Sequence, residues 1–186
     1  MEDARQQIIW STAICMALSL ITLVMRIASR RVRQSKLLVS DCLAIGAFII
    51  SWAAALSAVT ATRPGLGLHV ELVPLPNLRQ ILLHIFVSEI LYGIGFTLIK
   101  LSIISLYRQI FPTRLIFVSA IILGVVVLMW GTAVVLVSIF SCNPIQGFWD
   151  PTAPSKCVST KWFFIGLSIP NILTDAVLLC LPMRDV

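Results

Sequence analysis

Five long hydrophobic stretches divide this sequence, and each is close to the length that an α-helix needs to cross a membrane. About 20 apolar residues are required to span about 30 Å of hydrocarbon. None of the stretches alternates apolar and polar residues, and inside hydrocarbon only helices or closed barrels satisfy their backbone hydrogen bonds. The sequence therefore predicts five membrane-spanning helices, at about residues 8–25, 41–62, 81–106, 115–140 and 162–182.

The composition supports a membrane protein over a soluble one. Hydrophobic residues make up 59% of the 186-residue chain and charged residues only 12%, whereas a soluble domain carries about 25% charged residues. The formal net charge of +6 comes from residues between the apolar stretches, which is typical of loop charges that set membrane topology. We therefore expect a single transmembrane domain over residues 1–186, an all-α bundle in the lipid bilayer, and no nucleic-acid partner.

The distribution of Lys and Arg predicts the orientation of the bundle, because cytoplasmic loops are enriched in both. Ahead of the first stretch there is only Arg5, whereas five basic residues follow it: Arg26, Arg30, Arg31, Arg33 and Lys36. We expect this basic loop in the cytoplasm, the N-terminus outside and, after five crossings, the C-terminus inside. Since the basic cluster follows the apolar run, the first stretch is interpreted as a retained anchor, not as a cleaved signal peptide.

Four charged residues are expected within the spans: Asp41, Glu89, Lys100 and Asp175. A charged group at the centre of a membrane helix costs roughly 2.5–3.5 kcal/mol, so such groups need partners. Lys100 and Asp175 each lie about seven residues before the inner end of their spans, and hence at similar depth. We expect an ion pair between them, with Asp41 close by. The pair is interpreted either as a clamp between two helices or as a switch whose breaking frees their inner ends.

Glu89 lies in the outer half of the third predicted span, with His84 nearer the interface and Asn171 next to Pro170 in the fifth. Glu89 is interpreted either as a protonated or hydrogen-bonded carboxyl in the bundle interior or as the wall of an outward-facing ligand cavity. In the second interpretation His84 and Asn171 also face the ligand. Pro170 is expected to kink its helix and free a backbone carbonyl near Asn171.

The five cysteines fall into two groups. Cys142 and Cys157 lie in the predicted outer loop between the last two spans. That face is oxidising, so we expect a disulfide that stabilises the fold by roughly 3 kcal/mol, the alternative being two free thiols. Cys15, Cys42 and Cys180 lie in or beside apolar helices, where cysteine behaves as a small hydrophobic residue.

No enzyme motif occurs in the sequence. It contains no HExxH, no GxSxG and no Walker loop, and its two histidines are His69 and His84. We therefore expect no catalytic site, no metal site and no cofactor. His69 follows Gly65-x-Gly67 and is expected to organise the outer loop.

Several short motifs occur in order along nearly the whole chain. They are Gly65-Leu66-Gly67-Leu68-His69, Lys100-Leu101-Ser102-Ile103-Ile104, Tyr107-Arg108-Gln109-Ile110-Phe111, Cys142-Asn143-Pro144 with Trp149-Asp150 and Cys157, and Asn171-x-x-x-Asp175 before Leu181-Pro182. As an ordered set they resemble the fungal rhodopsin-domain family of predicted seven-span, receptor-like membrane proteins. That family usually has an Asp-Asp pair at the start of the second span, whereas this chain has Ser40-Asp41.

The resemblance implies a seven-helix bundle, so a chain that ends shortly after the fifth span is expected to be truncated. It further implies a receptor-like protein of the plasma membrane that senses an extracellular cue, with Arg108 and its neighbours meeting a cytoplasmic signalling partner. It does not imply retinal binding.

Two other functions fit the residues. One is a transporter or channel subunit whose intramembrane charges line a path and whose halves contain paired broken helices. The other is a membrane scaffold without a ligand.

Overall fold

The computed structural model of this protein describes residues 2–32, 38–64, 73–110, 113–150, 152 and 154–183. Most of them form five long helices, and a small hairpin lies between the last two. The elements in chain order are α1 (Glu2–Val32), α2 (Val39–Thr60), α3 (Leu75–Ile110), α4 (Arg114–Ile139), β1 (Cys142–Asn143), a 3-10 helix (Ile145–Phe148), β2 (Lys156–Cys157) and α5 (Thr160–Met183). The predicted all-α class is confirmed.

Each predicted span overlaps one of these helices, and α1, α3 and α5 extend beyond theirs at both ends. Among the described residues, four helices are long and apolar enough to cross a membrane, and α5 contributes a shorter apolar segment, Ile165–Leu181. The helices expose many large apolar side chains on their outer faces, such as Trp10, Met129 and Leu179. Exposing so many apolar side chains to water would be unfavourable, whereas the lipid chains of a membrane cover them.

The centre of the bundle is α3, which packs closely against α2 and α4. Small residues allow this approach: Gly95 faces Ser51 of α2, and Gly131 of α4 faces Thr97 of α3. Near the C-terminal end of α3 and the N-terminal half of α4, the core consists of aliphatic side chains from α3, α4 and α5. They are Ile104, Ala120, Leu123, Val127 and Leu178.

The hairpin between α4 and α5 is closed by the predicted disulfide, Cys142–Cys157. Its two strands are antiparallel and place the two cysteines opposite each other. Phe148 and Trp149 pack against Phe86 of α3, with ring centres 5.2 and 5.5 Å apart. The hairpin is therefore held on the N-terminal half of α3.

Two further features of the chain concern the hairpin and the free cysteines. Asp150 accepts hydrogen bonds from the side chain and the backbone N–H of Thr152, and these bonds hold the pKa of the Asp150 carboxyl below its usual value. Cys15, Cys42 and Cys180 are free and exposed on apolar helices. The predictions for Arg33, Lys36 and the segment from Gly65 to His69 concern residues outside those described.

Candidate functional site

A cavity of about 640 Å³ lies between α2, α3, α4 and α5. On the α2 side it is lined by small side chains spaced three and four residues apart, namely Ser51, Ala54, Ala55 and Ala58. This spacing places them on one helical face. Because these side chains are short, α2 leaves room between itself and α5.

The opposite walls of the cavity are aromatic and polar. Tyr92 and Phe96 of α3 and Trp130 of α4 contribute rings, and Tyr92 packs on Phe96 with ring centres 4.4 Å apart. Glu89 and Asn171 contribute polar groups. An apolar pocket of this size with a few convergent polar groups is typical of small-molecule sites.

Glu89 is the most unusual residue of the cavity wall. Its Oε2 atom is buried and has no hydrogen-bond partner among the described residues. Buried polar atoms are nearly always hydrogen-bonded, because leaving one without a partner costs about 1–3 kcal/mol. Glu89 therefore places a carboxyl oxygen without a partner at the wall of a cavity whose surface is mostly apolar.

Asn171 connects the cavity to the charged pair predicted from the sequence. It lines the cavity, and its Oδ1 accepts a 2.6 Å hydrogen bond from Lys100 Nζ. Lys100 also donates to the Thr174 hydroxyl at 2.6 Å and to the Asn171 backbone carbonyl at 3.2 Å. Its Nζ lies 5.3 Å from the centre of the Trp130 ring, within cation–π range.

The ion pair between Lys100 and Asp175 is present. Nζ lies 3.1 Å from Asp175 Oδ1, and the Lys100 side chain is 2% exposed while that of Asp175 is 47% exposed. The two residues meet because they lie at the same depth on α3 and α5. Lys100, Asn171, Thr174 and Asp175 are called the Lys100 cluster below. Whether the pair acts as a clamp or as a switch stays a prediction.

Asp41 does not belong to the Lys100 cluster, and this corrects the sequence prediction. It is 2% exposed and pairs with two arginines of α1, Arg26 at 3.0 Å and Arg30 at 3.3 Å. The reason is that α1 continues to Val32, so these arginines, four residues apart, lie on one face of a helix instead of in a loop.

This second charged cluster ties together the ends of three helices. Arg30 donates to Gln109 Oε1 of α3 at 3.0 Å, and Gln109 donates to the Ser40 hydroxyl at 3.3 Å. Ser102 of α3 donates to the Ser40 carbonyl at 2.7 Å. The ends of α1, α2 and α3 are therefore linked by hydrogen bonds as well as by packing.

His84 also departs from its predicted place. It is absent from the cavity lining, and its Nδ1 lies 3.3 Å from the Ser57 hydroxyl, between α2 and α3. Glu89 lies five positions after His84, so the two side chains point in different directions around the helix.

The sequence did not predict roles for Trp130 and Thr174, because apolar or mildly polar residues give no signal until their neighbours are known.

Metal binding has no support among the described residues, where no three His, Cys, Asp or Glu side chains come together in a group able to hold an ion.

The helices and the intramembrane cavity define a multi-pass membrane protein, and comparison with known proteins places it in a family. The fungal rhodopsin domain matches residues 25–186, which include α2 to α5 and the end of α1. The chain belongs to the fungal rhodopsin domain family, as its motifs predicted.

Three relatives show how far the similarity extends. The "Polyenoic acids biosynthesis gene cluster protein Ba17b" of Metarhizium anisopliae is 28% identical over 182 residues, covering 94% of this chain and 49% of that protein. A "SAT4 family membrane protein" of Emericella nidulans is 29% identical over 128 residues, covering 67% and 34%. The "Satratoxin biosynthesis SC1 cluster protein 4" of Stachybotrys chartarum is 30% identical over 89 residues, covering 47% and 33%. The chain spans about half or less of each relative's length. No solved structure matches it.

Proposed function

We propose that this protein is a receptor-like membrane sensor whose cavity binds a small lipophilic molecule arriving from outside. The observation that carries the proposal is the buried Glu89 Oε2 without a hydrogen-bond partner, in the wall of a cavity of about 640 Å³. A bound molecule would satisfy this oxygen and cover the rings around it.

The chemistry of the walls limits the ligand to an apolar body with one or two polar groups. Tyr92, Phe96 and Trp130 suit an unsaturated chain or a ring system, while Glu89 and Asn171 suit a hydroxyl or carboxyl group. One relative is named for the biosynthesis of polyenoic acids, which combine these two features. A polyenoic acid or a lipophilic metabolite of similar size is therefore the ligand class that we propose.

The Lys100 cluster provides a route from the cavity to the other end of the bundle. Asn171 lines the cavity and accepts from Lys100, so a ligand that hydrogen-bonds Asn171 competes directly with this bond. Lys100 then depends more on Thr174 and Asp175, which changes how α3 and α5 are held together. The proposed sensor lies in the plasma membrane. Its cytoplasmic partner binds the basic surface around Arg108, at the inner end of the bundle.

Binding can be tested with parinaric acid, a fluorescent polyenoic acid, and the purified protein in lipid nanodiscs. Energy transfer from the tryptophans of the protein, of which Trp130 lines the cavity, to the bound probe is measured. We expect saturable transfer in the wild-type protein and its loss in Ala55→Phe, which fills the cavity. The matched control is Ala53→Phe, since Ala53 is exposed on the same helix. Equal transfer in both variants would show that the probe binds elsewhere.

Transport by an intramembrane carboxyl is the competing function. A transporter would carry solute or protons across sealed proteoliposomes, and Glu89→Gln would abolish that flux. We expect a trapped pH-sensitive dye to respond identically in wild-type and Glu89→Gln proteoliposomes, while parinaric acid binding is weakened by the substitution. Probe binding without flux supports the sensor, and neither binding nor flux would favour a scaffold.

A further inference from the structure

A second cavity, of about 580 Å³, lies where α3 ends and α2 and α4 begin, away from the proposed ligand site. Its described lining is mainly polar and contains no acidic residue: Val39, Ser105, Arg108, Gln109, Thr113, Arg114 and Phe117. We propose that this cavity, called the inner pocket below, binds the headgroup of a phospholipid that carries phosphomonoester groups, such as a phosphoinositide.

The two arginines of the inner pocket are available for an anion. The ion pairs among the described residues involve Asp41 and Asp175, and neither Arg108 nor Arg114 takes part in them. The Arg108 guanidinium lies 4.6 Å from the centre of the Phe117 ring. A guanidinium stacked on a ring keeps its in-plane N–H donors for another partner, and their geometry suits phosphate oxygens.

The start of α4 adds to the same electrostatic field. Arg114 is the first residue of the helix, whose first turn contains no acidic residue. A positive side chain at a helix N-terminus is unfavourable, because the helix dipole already makes this end positive. Because two arginines lie beside the positive end of α4, a single phosphodiester would leave part of this charge uncompensated, which favours a headgroup with additional phosphates.

The surroundings of the inner pocket favour a lipid over a soluble acidic peptide. Two apolar side chains that line it are exposed, namely Val39 at 71% and Phe117 at 48%, and they form its apolar rim. These residues lie where the spans end, at the level where acyl chains meet headgroups. A phospholipid places its chains on this rim and its phosphates on the arginines, whereas a soluble peptide would leave the rim uncovered. Basic pockets between helices on the cytoplasmic side are suited to such headgroups.

The test measures lipid adducts of the detergent-purified protein by native mass spectrometry, with a short-chain phosphatidylinositol bisphosphate as the probe. We expect Arg108→Gln and Arg114→Gln each to weaken binding about tenfold, as loss of one charge-assisted phosphate contact predicts. The double variant should bind no better than background. The matched control is Arg31→Gln, which removes the same charge from an exposed residue of α1 outside the pocket and should leave affinity within about twofold.

Three outcomes would overturn the proposal. Equal losses in Arg31→Gln and Arg108→Gln would mean diffuse attraction to basic residues. Equal affinity for short-chain phosphatidylserine would remove the requirement for phosphomonoesters. Equal affinity for soluble inositol trisphosphate would show that the apolar rim contributes nothing and that the site is not one for lipid. Both arginines are exposed, so the variants should fold, and their unfolding temperatures verify this.

Discussion

Lys100 is surrounded inside the bundle by protein oxygens and an aromatic ring, which take the place of water. Two oxygens of Asn171, the Thr174 hydroxyl and the Asp175 carboxylate surround Nζ. Asp175 itself is about half exposed. The partners are therefore unequal, since removal of Asp175 leaves the buried Lys100 without its counter-charge, whereas Asp175 is less enclosed by the protein.

This inequality leads to a prediction for Lys100→Met, Asp175→Asn and the double variant. We expect Asp175→Asn to lower the free energy of unfolding by roughly 1–3 kcal/mol, because Lys100 loses its counter-charge. The double variant should lose less than the sum of the single variants, by about 1 kcal/mol or more. Denaturant unfolding in detergent measures each value, and Asp150→Asn in the outer hairpin is the control. Strictly additive losses would show that the pair contributes no coupling energy.

The charged residues also show what the sequence can and cannot predict at this scale. Lys100 and Asp175 were predictable as a pair, because equal depth on two long helices follows from counting residues. Asp41 was not, because its partners depend on how far α1 continues beyond its apolar part. Glu89 and Asn171 do meet at one cavity, whereas the place of His84 depended on the rotation of α3, which an evenly apolar sequence does not specify.

At the scale of elements, close packing of α3 depends on small residues. A Cβ atom added to Gly131 would overlap the side chain of Thr97, which is itself fixed by a 2.8 Å hydrogen bond to the Gly93 carbonyl. Gly124, on the same helix, has no such neighbour within 4 Å. The two glycines therefore form a matched pair for testing the contact between α3 and α4.

We expect Gly131→Ala to destabilise the protein by roughly 1–3 kcal/mol through overpacking. Gly124→Ala should be neutral or stabilising by up to about 1 kcal/mol, because alanine favours the helix. Thr97→Ala should rescue Gly131→Ala by removing the overlapping atoms. Thermal unfolding in one detergent compares all four proteins. If Gly131→Ala behaves like Gly124→Ala, the helices are farther apart than the structure shows.

The first and last residues of a helix were predictable only where the helix is apolar up to its ends. The apolar parts of α2 and α4 were located within two residues of their ends. By contrast, α3 begins at Leu75, six residues before the predicted start at residue 81. The prediction missed these first turns because they contain Pro76, Asn77, Arg79 and Gln80. A helix that extends beyond the hydrocarbon is polar there, and a search for apolar stretches does not detect it.

At the scale of the whole molecule, arginines of three helices, among them Arg31, Arg108 and Arg114, lie at one end of the bundle. Arg30 of α1 contacts Gln109 near the end of α3, so the C-terminal ends of α1 and α3 lie on the same side. The disulfide hairpin packs on the other part of α3, around Phe86. In the orientation that the positive-inside rule predicts, the hairpin is outside and the arginine-containing end is inside.

The orientation can be measured by cysteine labelling in sealed microsomes, whose lumen corresponds to the outside of the cell. After Cys15, Cys42 and Cys180 are replaced by Ala, a single cysteine is introduced by Arg31→Cys or by Thr152→Cys, both at exposed positions. We expect a membrane-impermeant maleimide to label Arg31→Cys in intact microsomes and Thr152→Cys only after detergent is added. The reverse pattern would place the hairpin in the cytoplasm and the inner pocket outside. The inner pocket would then face a leaflet without phosphoinositides, so this measurement decides whether both proposals concern the correct faces of the membrane.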